Sequence, residues 1–218
     1  LMNPAQAPLW GLGKVIALEH PQLWGGMLDL APSSKDDATK LLAEILDSQG
    51  EDHLAFRDDN RYVARLVKKQ LPSQEVKLRS DGTYLITGGL GALGRHVARF
   101  LVEKGARHLV LVGRRRASDE ALETLKDLEQ LGAKVLVVQA DVSNEADFVS
   151  VFEQIKTSKP PLRGIIHTAG ILDDGILLQQ DWERFARVMA PKLTGAWNLH
   201  KLTQELPLDF FVLFSSAA

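Results

Sequence analysis

The chain has no cysteine, no long apolar run and no surplus of charge of one sign, and each shortage closes a class of function. Without cysteine there is no disulfide framework, no thiolate nucleophile and no zinc–thiolate site; a reducing compartment is compatible with this, and a cytoplasmic location is the expectation. No apolar stretch approaches the ~20 residues of a membrane-spanning helix, and no basic segment precedes an apolar one at the start, so no membrane is expected as partner. Lysine and arginine number 26 against 28 acidic residues, a net charge of −2. That balance gives no reason to expect nucleic acid or an anionic surface as partner. What remains is ordinary globular composition: 218 residues, 45% hydrophobic and 25% charged. This length holds one large domain, or one domain and part of another, with a sizeable core.

From residue 84 onward short apolar runs alternate with longer amphipathic segments. The runs are 84–87 (YLIT), 109–112 (LVLV), 135–138 (VLVV), 164–167 (GIIH) and 210–214 (FFVLF). Each is continuously apolar and rich in branched residues, the pattern of strands buried on both faces of a parallel sheet. Between them Val97, Phe100 and Leu101 share one helical face, as do Leu122, Leu125 and Leu128. Repeated βαβ units predict a doubly wound, Rossmann-like α/β sheet over 84–218. Residues 1–72 read as about half of a smaller α/β unit. Trp10 to Glu19 is a helix opened by Pro8 and stopped at His20-Pro21, since the residue before proline avoids the α region. Met27 to Leu30 is a strand, Lys35 to Ser48 an amphipathic helix, and 53–57 with 61–66 a hairpin. The polar stretch 73–83 is the expected linker.

The segment Thr87-Gly88-Gly89-Leu90-Gly91-Ala92-Leu93-Gly94 follows the first strand of the sheet and opens its first helix. It carries the G-x-G-x-x-G spacing at Gly89, Gly91 and Gly94. Glycines let backbone turn tightly and approach a pyrophosphate, and the helix N-terminus offers free amides and a positive dipole, so dinucleotide binding is expected here. The second strand ends in Gly113-Arg114-Arg115-Arg116, where an NAD site would offer an acid to the ribose 2′-hydroxyl. A guanidinium there suits a 2′-phosphate, which predicts NADP(H), with Arg114 or Arg115 as the contact ahead of Arg116. Asp141, in Ala140-Asp141-Val142, can cap a helix or accept from an adenine amino group. His167 reads as a packing residue at a strand end, and Ala169-Gly170 as the lining of a nicotinamide pocket.

Taken together, 87–94, Gly113-Arg114-Arg115, Ala140-Asp141-Val142, His167-Thr168-Ala169-Gly170, Leu172-Asp173-Asp174, 192–199 (KLTGAWNL) and Phe214-Ser215-Ser216 resemble the ketoreductase domain of modular polyketide synthases, within the short-chain dehydrogenase/reductase superfamily. The stretch 9–21 (LWGLGKVIALEHP) with Trp24-Gly25-Gly26 is similar to the latter part of that family's structural subdomain, a truncated Rossmann unit that holds no cofactor. The resemblance implies NADPH bound by Thr87, Gly88, Gly89, Gly91, Leu93, Gly94, Arg114, Arg115, Asp141, Val142, Ala169 and Gly170. It implies Lys192 as catalytic lysine and, by register, Ser216 ahead of Ser215 as catalytic serine. A fixed ammonium eases proton transfer and a hydroxyl hydrogen-bonds the ketone oxygen as it gains charge. The substrate would be a β-ketoacyl chain on the phosphopantetheine arm of an acyl carrier protein, reduced to the β-hydroxyacyl thioester beside neighbouring synthase domains. Leu172-Asp173-Asp174 resembles the fingerprint of B-type ketoreductases, which give the D-hydroxyl, with Asp174 as marker.

The chain departs from that family most severely in its catalytic acid; the first half of the structural subdomain and the substrate lid are missing too. The family's general-acid tyrosine and its partner asparagine follow the serine on a downstream helix, whereas the two tyrosines here are Tyr62 and Tyr84. The expectation is an interior piece of a ketoreductase, cut at both ends and inactive alone. The alternatives are a non-catalytic ketoreductase-like element of a megasynthase and a free-standing short-chain dehydrogenase, the latter disfavoured by the structural-subdomain stretch.

Overall fold

The computed structural model describes residues 6–31, 36–47, 49–58, 60–70 and 78–216. They form two compact units, Leu1–Pro72 with Gly175–Gln180, and Ser73–Asp174 with Asp181–Ala218.

In the first unit Pro8 sits in the opening turn of α1 (Ala7–Glu19), where a missing amide costs nothing. The helix starts three residues before the sequence expectation and ends where His20-Pro21 predicts. β1 (Met27–Asp29), α2 (Asp37–Leu46), β2 (His53–Arg57) and β3 (Asn60–Val63) follow. β1 pairs parallel with β2, and β2 antiparallel with β3. β3 stops at Val63 rather than at Leu66. The Ala64 amide reaches the His53 carbonyl at 2.9 Å, and since β2 begins at His53 no partner strand remains beyond it. Lys35 and Ser48, the expected ends of the second helix, lie outside the described residues, as do 73–77 of the expected linker.

The second unit runs β4 (Thr83–Thr87), α3 (Ala92–Glu103), β5 (His108–Gly113), α4 (Asp119–Gln130), β6 (Lys134–Gln139), α5 (Glu145–Ser158), β7 (Leu162–His167), α6 (Trp182–Met189), a π-helical turn (Ala190–Thr194), α7 (Gly195–Thr203) and β8 (Phe210–Leu213). The sheet order is β6-β5-β4-β7-β8, and every neighbouring pair is parallel. The doubly wound α/β sheet is as expected. One apolar layer places Ile86, Leu109 and Leu111 of the sheet against Ala98, Leu101 and Leu128 of α3 and α4. The other sets Leu85, Val110 and Ile165 against Phe148, Val151 and Leu199 of α5 and α7.

Five expectations need correction. Only the three central strands are buried on both faces; β6 and β8 are half-exposed, because each lies at a sheet edge. Phe100 is 51% exposed, since the buried face of α3 runs through Gly94, Ala98, Leu101 and Val102, and the Lys104 ammonium lies 5.9 Å from its ring. Leu122 is likewise exposed and Ala121 takes its place on the buried face of α4. Residues 175–180 group with the first unit instead of continuing the second, for the Glu19 carboxylate accepts the Leu177 amide at 2.7 Å. The described end of the linker is packed as well: the Arg79 amide donates to the Tyr84 hydroxyl at 2.6 Å, and Leu78 joins the first apolar layer.

In this order the chain leaves β4 in one direction for β5 and β6, then returns to the other side for β7 and β8. The crevice outside the carboxyl ends of β4 and β7 is therefore where an open α/β sheet binds a ligand.

Candidate active site

Four turns at the carboxyl ends of β4, β5, β6 and β7 enclose a cleft of about 370 Å³. Its floor is the glycine-rich turn. Gly88 adopts φ +69°, and a Cβ there would stand 2.8 Å from the Ala169 amide nitrogen; the left-handed backbone and the close approach both require glycine. Gly94 lies under that turn, where any side chain would collide with the Gly88 carbonyl. Gly89 packs on Ile86 and Leu111. Gly89, Leu93 and Gly94 thus lie outside the cleft wall, and two of them let α3 press against β4.

The N-terminus of α3 is built differently from its neighbours. Ser118, Asn144 and Asp181 each cap their helix with a side-chain oxygen, whereas Gly91 opens α3 with no side-chain cap. The first-turn amides are left to whatever occupies the cleft, which suits an anion. Thr87, Gly88, Gly91, Arg114, Arg115, Asp141, Val142, Ala169 and Gly170, all expected from the sequence, line that cleft. Arg114, Arg115 and Arg116 are exposed on one side. Asp141 stands 3.7 Å from the Arg114 guanidinium and accepts the Ser143 amide and hydroxyl at 2.9 and 2.6 Å. Burial pushes its carboxyl up, but these donors and Arg114 outweigh burial and hold it below the ordinary carboxylate range. Asn144, not Asp141, caps the following helix. Leu90, Ser118, Thr168, Ile171 and Pro191 also line the cleft; none has a type or spacing that marks it in the sequence.

At the far end Lys192 rises from the π-helical turn. Its Cε and Nζ lie 2.9 and 3.2 Å from the position a Gly170 Cβ would occupy, and its ammonium donates to the Phe214 carbonyl at 3.3 Å. The lysine thus touches both the Ala169-Gly170 turn and Phe214, just past β8, after which come Ser215 and Ser216, both exposed. Asp174 is exposed on the loop after β7. Its neighbour Asp173 accepts from Arg184 Nε and Nη2 at 2.9 and 2.5 Å. These bonds, despite some burial, hold the Asp173 carboxyl below its usual range. Tyr62 lies on β3, and Tyr84 is buried in β4 with its hydroxyl on Arg79; neither lines the cleft. Among the described residues no cluster of ligands could hold a metal ion, and no helix is long and apolar enough to cross a membrane.

Comparison with known proteins places the chain in a family. Residues 82–218 match the KR domain family. A 6-methylsalicylic acid synthase of Arthrobotrys oligospora is 40% identical over 232 residues, covering 97% of this chain and 13% of that protein. The polyketide synthase GfsA of Streptomyces halstedii is 40% identical over 99% of this chain and 3% of its own length. The chain therefore spans a small part of these relatives. Among solved structures, an A-type ketoreductase from a modular polyketide synthase superposes with a TM-score of 0.88 at 38% identity, over 99% of this chain and 46% of that one. PlmKR1, the ketoreductase from the first module of phoslactomycin biosynthesis in Streptomyces sp. HK803, gives 0.84 at 40% identity, over 96% and 49%. With sequence, cleft and fold in agreement, the chain belongs to the KR domain family, the ketoreductases of polyketide synthases.

Proposed function

We propose that these residues form the core of an NADPH-dependent reductase of β-ketoacyl thioesters carried on an acyl carrier protein within a larger synthase. The observation that carries this reading is Lys192, whose ammonium lies against Gly170 in the cofactor cleft and reaches the strand end that leads to Ser216.

The cleft fits a phosphorylated dinucleotide. Uncapped amides of α3 would hold its pyrophosphate and Arg114 or Arg115 its 2′-phosphate, in place of the acid an NAD site offers. Asp141, kept ionised by its donors, would accept from the adenine amino group. The bound cofactor supplies the hydride. The protein orients the ketone and stabilises its oxygen: the Ser216 hydroxyl would donate to the oxygen as it gains charge, and the Lys192 ammonium would lower the cost of that charge. Neither Tyr62 nor Tyr84 lines the cleft, so neither is the proton donor to the alkoxide. Asp173-Asp174 support a B-type outcome, the D-hydroxyl. A second reading is a non-catalytic element of a megasynthase, which the same residues would build if they bound the cofactor without turnover.

The two readings part on one experiment. The intact polypeptide carrying this sequence is offered a diketide β-ketoacyl thioester on its carrier protein, with NADPH consumption followed at 340 nm. Cofactor-dependent formation of the hydroxyacyl thioester, lost in Lys192→Ala, supports the reductase; NADPH binding without turnover supports the structural element.

A further inference from the structure

Among the described residues, His167 is a buried titratable group beside the cleft that the proposed chemistry does not use. It lies at the end of β7, 2% exposed, and both ring nitrogens are engaged. The Pro191 carbonyl can only accept, so Nε2 carries the proton and donates to it at 2.9 Å. Nδ1 then accepts from the Thr87 hydroxyl at 2.5 Å. Burial, outweighing the Pro191 carbonyl, pushes the imidazole below its usual range, and the nearby Lys192 ammonium acts the same way.

The two partners are not arbitrary. Thr87 ends the strand that delivers the glycine-rich turn, and its carbonyl also accepts from the Thr168 amide and hydroxyl at 3.0 and 2.7 Å. Pro191 is buried in the π-helical turn immediately before Lys192. Such turns are rare single-turn widenings of a helix, found frequently at functional sites. Proline contributes no amide of its own to hold this one.

We infer that His167 is a positioning residue: by tying the Pro191 carbonyl to the Thr87 hydroxyl it fixes the π-helical turn, and with it the Lys192 ammonium, against the cofactor cleft. The inference rests on the proposed role of Lys192 for its catalytic consequence, but not for its structural one.

The test uses three variants. His167→Phe keeps ring volume and loses both hydrogen bonds. His167→Asn is too short for Pro191 but can still meet Thr87. His167→Gln can carry an amide donor to the Pro191 carbonyl. Reductive ¹³C-methylation of the intact polypeptide carrying this sequence labels its lysines, the signal of Lys192 being identified by its loss in Lys192→Arg. The expected result is a Lys192 signal distinct from those of the other lysines, because it is held against Gly170 and the Phe214 carbonyl, collapsing onto them in the Phe and Asn variants and retained in Gln. In the intact polypeptide kcat should fall at least about tenfold in Phe and Asn, with NADPH affinity within about twofold, and recover in Gln. If Phe fails to fold, the Asn and Gln pair decides. A Lys192 resonance unchanged in Asn, even with lowered thermal stability, would overturn the inference and leave His167 a core residue. Loss of the resonance in a polypeptide that reduces no ketone would support the positioning role while overturning the reductase reading.

Discussion

Arg184 holds Asp173 at three points: its Nε and Nη2 reach one carboxylate oxygen at 2.9 and 2.5 Å, and Nη2 also donates to the Asp173 carbonyl at 3.3 Å. The same Nη2 donates to the Asp174 carbonyl at 2.9 Å, and Arg187 stands 2.5 Å from the other carboxylate oxygen. A guanidinium fork across two successive residues fixes the loop that follows the cofactor turn. If that loop guides substrate entry, the intact enzyme should give the D-alcohol. A hundredfold preference needs only ~2.7 kcal/mol between the two transition states, so Arg184→Gln should reduce the D:L ratio about tenfold. Chiral chromatography of the diketide product reads both, and an L-configured product from the unmodified enzyme would remove the B-type assignment.

The same carboxylate sets an acid limit on the loop. Its folded pKa is depressed by the Arg184 hydrogen bonds, so the stabilisation is present above the unfolded value of ~3.9 and is lost as pH falls through the depressed folded one. Protection of the amides at 173–174, relative to their intrinsic exchange rates, should be high at pH 5 and fall as pH drops below the unfolded value, whereas Asp173→Asn should be little protected at either pH.

Arg114 and Arg115 should decide between the two nicotinamide cofactors. A charge-assisted pair to phosphate contributes ~1.5–3 kcal/mol, so NADPH should bind at least about tenfold tighter than NADH. Replacing both arginines with alanine should erase most of that preference while changing NADH affinity little. Titration of the cofactor's fluorescence measures it; equal affinities in the unmodified chain would end the assignment.

Gly94 should tolerate no side chain. In Gly94→Ala the new methyl meets the Gly88 carbonyl, and backbone cannot yield as a flexible side chain would. The expected outcome is a loss of ~1–3 kcal/mol in stability, as for other overpacked positions, and a cofactor affinity weakened at least tenfold. Gly91→Ala, whose methyl would stand 3.3 Å from the same oxygen, should cost less on both counts. Chemical denaturation and cofactor titration give the two numbers.

Lys192→Ala and Ser216→Ala in the intact polypeptide should each depress kcat by ~10²–10³, with NADPH affinity nearly unchanged, if as proposed both groups act on the ketone oxygen rather than on the dinucleotide. Ser215→Ala should leave kcat within a few-fold if the register that favours Ser216 is right. A reversed pattern would transfer the role to Ser215.

The sheet and the cofactor cleft were legible because their signals are local. Each central strand is a short branched run, and the glycine-rich turn joins strand to helix within eight residues, so nine of the residues it and the other strand ends nominate meet in one cleft. What was not legible depends on distance in the chain. Nothing near Phe100 or Leu122 marks them as exposed, since the neighbours Ala98 and Ala121 that take the buried face are small and carry little apolar signal. Pro191 reaches the cleft only because a π-helical turn, which has no sequence period of its own, displaces it there. His167 reads as a packing residue, and its burial agrees; that its two nitrogens join Thr87 to Pro191, 80 and 24 positions away, is a tertiary fact.

All four ladders of the larger sheet are parallel, so none of them can form through a hairpin. Pairing Tyr84 with Leu109 closes a loop of 25 residues, and pairing Thr87 with His167 closes one of 80. Loop-closure entropy must be met before such contacts return any stability, which makes assembly slow compared with a locally wired protein. On a ribosome β4 therefore emerges long before the strand that completes it, and the glycine-rich turn has no Ala169 to rest against until about 80 further residues have been made. Competence to hold the dinucleotide is thus among the last properties this unit acquires as it folds, and onset of cofactor binding during refolding should coincide with docking of β7 rather than with formation of α3.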